Sequence, residues 1–132
     1  MPYSTMTNTT HDRYLETQVL HADPVQLVNM LYRGAIEAVG AARHHLDAGA
    51  IAERSARIMK AWNILNELSH TLDYSQAPEL CARLAGLYAH MQQRLIDANI
   101  QQTAAPLSEV GALLTTLSEG WGDLVPSSAV EA

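Results

Sequence analysis

One pair of residues in this chain has the spacing of a metal-binding motif. Glu67 and His70 stand three positions apart, which places two possible metal ligands on one face of a helix. A di-metal centre in a helical bundle needs a second pair of this kind and two further inward carboxylates, and the sequence has no second pair. We therefore expect Glu67 and His70 to be solvated, and we predict that the protein uses no metal and no other cofactor.

The other reactive side chains do not form a catalytic pattern. His44 and His45 are adjacent, so they diverge on a helix and are poorly placed to bind one ion together. Cys81 is the only cysteine, which excludes an internal disulfide, and such a residue is more often a small core residue than a nucleophile. The chain has neither a glycine-rich phosphate loop nor a nucleophile motif. We predict that the protein is not an enzyme.

Composition restricts both the fold class and the partners. The 132 residues suit one domain, 48% of them are hydrophobic, and Leu and Ala are abundant while β-branched residues are sparse, which favours helices. The formal net charge of -6 disfavours binding to nucleic acid or to anionic membranes. No signal peptide is apparent, and no apolar run approaches the length of a membrane span. We expect a cytoplasmic protein without membrane insertion.

Helical periodicity predicts four long amphipathic helices. The first covers about residues 24–48, with Asp23 as its N-cap and Gly49 as a left-handed C-cap. The second covers about residues 51–72, and the third has Pro78 in its first turn. The last follows the break at residues 103–106. Four such helices with short connections predict an all-α fold, an antiparallel four-helix bundle.

The chain divides into one bundle and two short ends. Residues 1–13 are polar and are predicted to be a flexible N-terminus. Residues 14–124 are predicted to form the bundle, beginning with a short helical segment near residues 14–20. Residues 125–132 are predicted to be a flexible tail.

The helices carry more apolar surface than a bundle core requires. On the first helix, the predicted core face through Leu27 and Leu31 is widened on both sides, beyond the roughly 100° that core packing needs. The predicted core includes Leu31, Leu65, Leu84, Met91, Leu113 and Leu117. Other apolar residues fall outside the stripes, which is either scattered exposure or a groove for an apolar segment of a partner. We favour the groove for these residues: Met30, Ile36, Met59, Ile64, Ile96 and Ile100.

Several motifs together resemble the flagellar secretion chaperone family, FliS. Residues 27–35, Leu-Val-Asn-Met-Leu-Tyr-Arg-Gly-Ala, are similar to that family's Leu-Val-x-Met-Leu-Tyr-Asp-Gly-Ala. Tyr14 precedes Pro24 by ten residues, like the family's N-terminal Tyr. Residues 60–65, Lys-Ala-Trp-Asn-Ile-Leu, and Trp121 resemble parts of later helices. The resemblance covers about residues 14–124.

A few positions depart from the family pattern. Arg33 stands where an acidic residue is usual, and Pro78 replaces a Gly. Arg83 replaces an Asn, and His90 replaces a Tyr. These differences concern contacts around the turn before the third helix and in one part of the groove, and not the fold.

The resemblance implies a cytoplasmic export chaperone. Such a protein would bind the C-terminal helical segment of flagellin, prevent premature polymerisation, and deliver the subunit to the flagellar type III export apparatus, with the export gate as a further partner. The family also implies that the N-terminal segment can cover the groove when no client is bound. The alternatives are a helical dimerisation module and a metal-binding bundle protein. We assign the client-binding groove to Tyr14, Val19, Leu27, Met30, Tyr32, Ile36, Met59, Ile64 and Ile96.

Overall fold

The computed structural model describes residues 24–124, and this part of the chain forms four helices. Each helix packs against the next, and the last also packs against the first, so that they enclose one core. No strand occurs between residues 24 and 124, and none of the helices there is both long and apolar enough to cross a bilayer. The predicted all-α four-helix bundle is confirmed. In chain order the helices are α1 Pro24–Asp47, α2 Ile51–His70, α3 Pro78–Gln101 and α4 Ala105–Leu124.

Two tight connections reverse the chain at the same end of the bundle. After α1, Gly49 has a φ of 72°, and the Ala50 N–H donates to the His45 carbonyl at 2.9 Å. This left-handed glycine confirms the predicted C-cap of the first helix. After α3, Gln102 adopts the same conformation, with a φ of 55°, and its N–H donates to the Ala98 carbonyl at 2.9 Å. The predicted Asp23 cap and the helical segment near residues 14–20 lie outside the described residues.

The second helix ends at His70, two residues before the predicted end. The Thr71 hydroxyl donates to the Leu68 carbonyl at 2.7 Å, and the Thr71 N–H donates to the same oxygen at 3.1 Å. Hydroxyl groups that bind nearby backbone carbonyls compete with the regular helical pattern. The apolar residue Leu72 therefore lies in the connection, although it still packs against the core.

The buried face of α1 is displaced from the predicted one. Leu27 and Leu31, which the sequence places on the core face, are only half-buried. Helix α1 contacts α2 on one side, where a Cβ added to Gly34 would lie 3.3 Å from Ile64 Cδ1. Its other side contacts α4. Two covering helices account for much of its broad apolar surface, and the residues it buries are Val28, Tyr32, Ala35, Ala38, Val39 and Ala42.

The middle of the core is aliphatic. Leu65 of α2 and Met91 of α3 are fully buried, as predicted. The other predicted core residues are half-buried and pack against this cluster from its edges, namely Leu31, Leu84, Leu113 and Leu117.

Candidate partner-binding surface

Hydrogen bonds between the two helices fix the alignment of α2 and α3. Gln92 donates from Nε2 to the Trp62 carbonyl at 3.2 Å, close to the middle of both helices. Nearer the start of α2, Ser55 donates to Asn99 Oδ1 at 3.1 Å. From the first link to the second, the residue number falls along α3 from 99 to 92 while it rises along α2 from 55 to 62. The two helices are therefore antiparallel, and the linked residues mark the outer seam between them.

An apolar stripe runs along this seam. Met59 lies four residues after Ser55, and Ile96 lies four residues after Gln92, so helical spacing places both on the seam between the two links. Their side chains are 49% and 38% exposed, respectively. The same spacing continues toward the start of α2 and the end of α3, where Ile51 and Ile100 are 58% and 73% exposed. We call Ile51, Met59, Ile96 and Ile100 the α2–α3 stripe.

Polar side chains close the seam beneath the stripe. Arg54 is 5% exposed and donates from Nε to Asn99 Oδ1 at 3.0 Å. On the inner side of each helix, Ile58 and Leu95 already fill the core. The residues of the α2–α3 stripe lie outside this core cluster, and they are exposed to solvent.

The other predicted groove residues lie elsewhere. Ile36 and Ile64 are half-buried and pack against the core, Ile64 close to the backbone of α1 at Gly34. Met30 is also half-buried. Tyr14 and Val19 lie outside the described residues. Met59 and Ile96 are thus the predicted groove residues that the fold exposes on a common seam.

Tyr32 does not lie on the surface. Its side chain is 1% exposed, and its hydroxyl forms a 2.6 Å hydrogen bond with the hydroxyl of Tyr88 across the core. Burial raises the pKa of both phenols above the ordinary value, so both hydroxyls stay protonated to a higher pH than those of exposed tyrosines. Assigning Tyr32 to an exposed groove therefore requires correction, because its ring and its hydroxyl are both used inside the bundle.

A cavity opens at the end of the bundle where α1 begins and α2 ends. It has a volume of about 680 Å³ and includes Leu27, the remaining predicted groove residue. We call it the Trp121 cavity, since Trp121 of α4 forms one of its walls. The sequence did not predict this cavity, because a cavity built from the ends of several helices leaves no periodic signal in any one of them. Its lining residues are Pro24, Val25, Leu27, Val28, Leu31, Glu67, His70, Thr71 and Trp121.

The candidate metal pair lies at the edge of this cavity. Glu67 and His70 are both exposed in the last turns of α2. Within residues 24–124, no three His, Cys, Asp or Glu side chains converge as a metal site would require. Cys81 is buried, and its thiol lies 3.4 Å from the carbonyl oxygen of Asp73.

The seam between α3 and α4 differs in chemistry from the α2–α3 seam. His90 Nε2 lies 2.7 Å from Glu109 Oε2, and Arg94 Nε donates to Glu109 Oε1 at 3.2 Å. The hydrogen bond from His90 is the main cause that lowers the pKa of the Glu109 carboxyl. Arg94 also pairs with Asp97, whose pKa is lowered mainly by the hydrogen bond from Gln93. Charged side chains thus cover this seam, whereas apolar ones cover the other.

These features define the class of the molecule as an antiparallel four-helix bundle that exposes an apolar stripe on one seam. The chain belongs to the FliS family, because the family model described as flagellar protein FliS matches residues 6–128. The resemblance seen in the sequence motifs is confirmed.

Similar proteins from several bacteria support this assignment over most of the chain. The flagellar secretion chaperone FliS of Salmonella typhimurium (strain LT2) is 34% identical over 118 residues, which cover 89% of this chain and 87% of the relative. The flagellar secretion chaperone FliSB of Pseudomonas aeruginosa is 36% identical over 107 residues, covering 81% and 85% respectively. The flagellar secretion chaperone FliS of Bacillus subtilis (strain 168) is 30% identical over 114 residues, covering 86% and 84%.

Proposed function

We propose that this protein is a cytoplasmic chaperone for flagellin and acts by binding rather than by catalysis. It binds the C-terminal segment of flagellin, prevents premature polymerisation, and delivers the subunit to the flagellar type III export apparatus, where the export gate is a further partner. Family membership supports this role, since the relatives are named as flagellar secretion chaperones. The observation that carries the proposal is the α2–α3 stripe.

The α2–α3 stripe suits a client that carries its own apolar face. An amphipathic helix presents apolar residues at intervals of three and four, which matches a narrow apolar row bordered by polar side chains. Met59 and Ile96 would form the centre of the contact, where full desolvation gives the largest contribution to affinity. A client segment that is disordered when free would also be shielded from self-association while bound. The bundle keeps its own core throughout.

The test compares two forms of flagellin and a small set of variants. Titration calorimetry with the full chain should show binding of intact flagellin and no binding of flagellin that lacks its C-terminal segment. Met59→Glu and Ile96→Glu should each weaken binding by about tenfold or more, because a charge would lose its water beneath the client. Their melting temperatures should stay close to that of the unmodified protein, since both side chains are exposed.

A matched control separates a local effect from a change of net charge. Ala112→Glu adds the same charge at an exposed position of α4, which does not form the α2–α3 seam, and it should leave affinity unchanged. Equal binding of the two flagellin forms would contradict the proposal. A concentration-independent dimer in light scattering, without affinity for flagellin, would favour the dimerisation module instead.

A further inference from the structure

Arg54 is a buried charged residue, and no described residue supplies its countercharge. It is 5% exposed, and its guanidinium group is permanently positive. Its Nε donates to Asn99 Oδ1 at 3.0 Å, which is a neutral acceptor. Within residues 24–124, Arg54 forms no ion pair with any carboxylate. Because buried charges in proteins are nearly always paired, Arg54 lacks an anion that a bound molecule can supply.

The side chains around Arg54 leave hydrogen-bond donors free. Asn99 Oδ1 accepts from Arg54 Nε and, at 3.1 Å, from the Ser55 hydroxyl, so both of its lone pairs are used. Asn99 Nδ2 and the terminal nitrogens of Arg54 can only donate, and no acceptor for them lies within residues 24–124. In that part of the chain, Trp121 Nε1 alone is fully enclosed without a partner, so these donors reach solvent. We define the donor cluster as Arg54, Ser55 and Asn99.

The donor cluster interrupts the α2–α3 stripe. On α2, Ser55 lies four residues after Ile51 and four residues before Met59, which is about 6 Å from each along the helix. On α3, Asn99 directly precedes Ile100. A helix that covers the α2–α3 stripe must therefore cover the donor cluster as well.

A purely apolar helix would fit this surface poorly. It would remove water from the free donors without replacing the lost hydrogen bonds, which reduces affinity. The backbone carbonyls in the middle of a bound helix are already used within that helix, so the acceptor has to be a side chain. A carboxylate accepts from these donors and also neutralises Arg54, and charge-assisted hydrogen bonds are the stronger class.

We propose that the donor cluster binds an acidic side chain of the flagellin client, an inference that rests on the proposed function. This Asp or Glu lies on the same face of the client helix as two apolar residues, one helical turn before it and one turn after it. The apolar residues contact the α2–α3 stripe near Ile51 and near Met59. The donor cluster thereby sets the register of the client and disfavours apolar helices that lack a carboxylate at this position.

A substitution scan of the client tests the carboxylate against the unmodified chain. In a synthetic peptide that covers the C-terminal segment of flagellin, each Asp is replaced by Asn and each Glu by Gln, one at a time. One of these changes should weaken binding by about tenfold in titration calorimetry, because a charge-assisted hydrogen bond is lost. The sensitive residue should have apolar residues three or four positions away on both sides.

The variant Asn99→Asp tests the same contact from the side of the donor cluster. It keeps the shape of the side chain and still offers an acceptor to Arg54 and Ser55, so the melting temperature should not fall. It also replaces a free donor with a carboxylate oxygen, which supplies the missing anion from within the chain. Binding of the unmodified peptide should then weaken by about tenfold or more. The peptide that lacks the sensitive carboxylate should bind this variant at least as tightly as the unmodified peptide does.

A matched control separates this effect from general charge repulsion. Gln101→Glu makes the same change from amide to carboxylate at an exposed position of α3, and it should leave affinity unchanged. Equal losses of affinity in Asn99→Asp and Gln101→Glu would overturn the proposal.

The remaining outcomes distinguish this inference from the proposed function. If every single substitution in the peptide leaves its affinity unchanged, or if folded Asn99→Asp binds the peptide as tightly as the unmodified chain, the donor cluster does not bind a carboxylate and the proposed function is intact. If Asn99→Asp does not fold, the substitution scan of the peptide decides alone. No binding of the peptide or of flagellin to the unmodified chain would instead reject the proposed function.

Discussion

Tyr32 and Tyr88 form a polar link between helices that lie diagonally across the bundle. Each hydroxyl is the partner of the other, at 2.6 Å, and both side chains are at most 2% exposed. In a core that is otherwise largely aliphatic, one specific hydrogen bond favours a single alignment of α1 against α3. The aromatic rings contribute packing area, while the hydroxyl pair contributes mainly to the choice of register.

The first prediction concerns this pair. Tyr88→Phe leaves the Tyr32 hydroxyl buried without its partner, so the free energy of unfolding should fall by about 1–3 kcal/mol. Removing both hydroxyls should cost less than the sum of the two single changes, since neither polar group is then left unpaired. Denaturant unfolding of the two single variants and the double variant measures the coupling. Additive losses would show that the two hydroxyls do not depend on each other.

The second prediction follows from the raised pKa of both tyrosines. Unfolded tyrosines ionise near pH 10, whereas burial holds the pKa of Tyr32 and Tyr88 above that value in the folded state. Above pH 10 the folded state therefore binds more protons than the unfolded state. The free energy of unfolding is unaffected by this pair below pH 10 and should fall as the pH rises beyond it. In the variant that carries both Tyr32→Phe and Tyr88→Phe, the free energy of unfolding should fall less steeply above pH 10. An identical pH dependence in the two proteins would contradict burial of these hydroxyls as the cause.

At the scale of elements, two helices end in the same left-handed conformation with different residues. Gly49 adopts it without strain, while Gln102 carries a Cβ in the same region. We predict that Gly49→Ala lowers the free energy of unfolding by about 1 kcal/mol and that Gln102→Gly raises it by about 0.5–1 kcal/mol. Thermal and denaturant unfolding of both variants tests this. Similar effects of the same sign would show that backbone conformation does not decide either value.

The elements of the fold could be predicted from sequence because their signals are local. Pro24, Gly49 and Pro78 mark ends of helices by backbone chemistry that does not depend on the rest of the fold. The predicted end of α2 lay two residues too late. The apolar periodicity continues through Leu72, whereas the Thr71 hydroxyl competes for the Leu68 carbonyl and the helix ends at His70. Hydroxyl competition of this kind is visible only once the backbone is in place.

The candidate site could be predicted only in part, because exposure depends on which helices are neighbours. Met59 and Ile96 lie off the core stripes and are exposed, as expected, and their role in binding stays a prediction. Ile64 has the same kind of spacing, but it faces the glycine of α1 that allows the two helices to approach closely. Tyr32 is buried because α1 has covering helices on two sides. Periodicity gives the width of an apolar surface, and only packing decides which part of it stays open.

At the scale of the whole molecule, the two seams of α3 have opposite surface chemistry. The seam with α4 carries the ion pairs of Arg94 and Glu109, and the seam with α2 carries the α2–α3 stripe. A client with an apolar face can therefore bind at the second seam without displacing charged side chains. When no client is present, the α2–α3 stripe is exposed to solvent unless another segment covers it.

The last prediction concerns residues 1–20, which lie outside the described residues. Tyr14 offers an apolar ring with a polar tip, and Val19 adds a smaller apolar group. We propose that this segment covers the client site when flagellin is absent. It then lowers the apparent affinity by the fraction of time for which the site is covered. Deleting residues 1–20 should tighten the binding of an isolated flagellin C-terminal peptide or speed its association, with the stability of the bundle unchanged. Calorimetry and stopped-flow mixing on the full-length and shortened proteins measure both quantities.

If Tyr14 contacts the client directly, deletion weakens binding and increases the dissociation rate. That result, at unchanged bundle stability, would disprove the covering role.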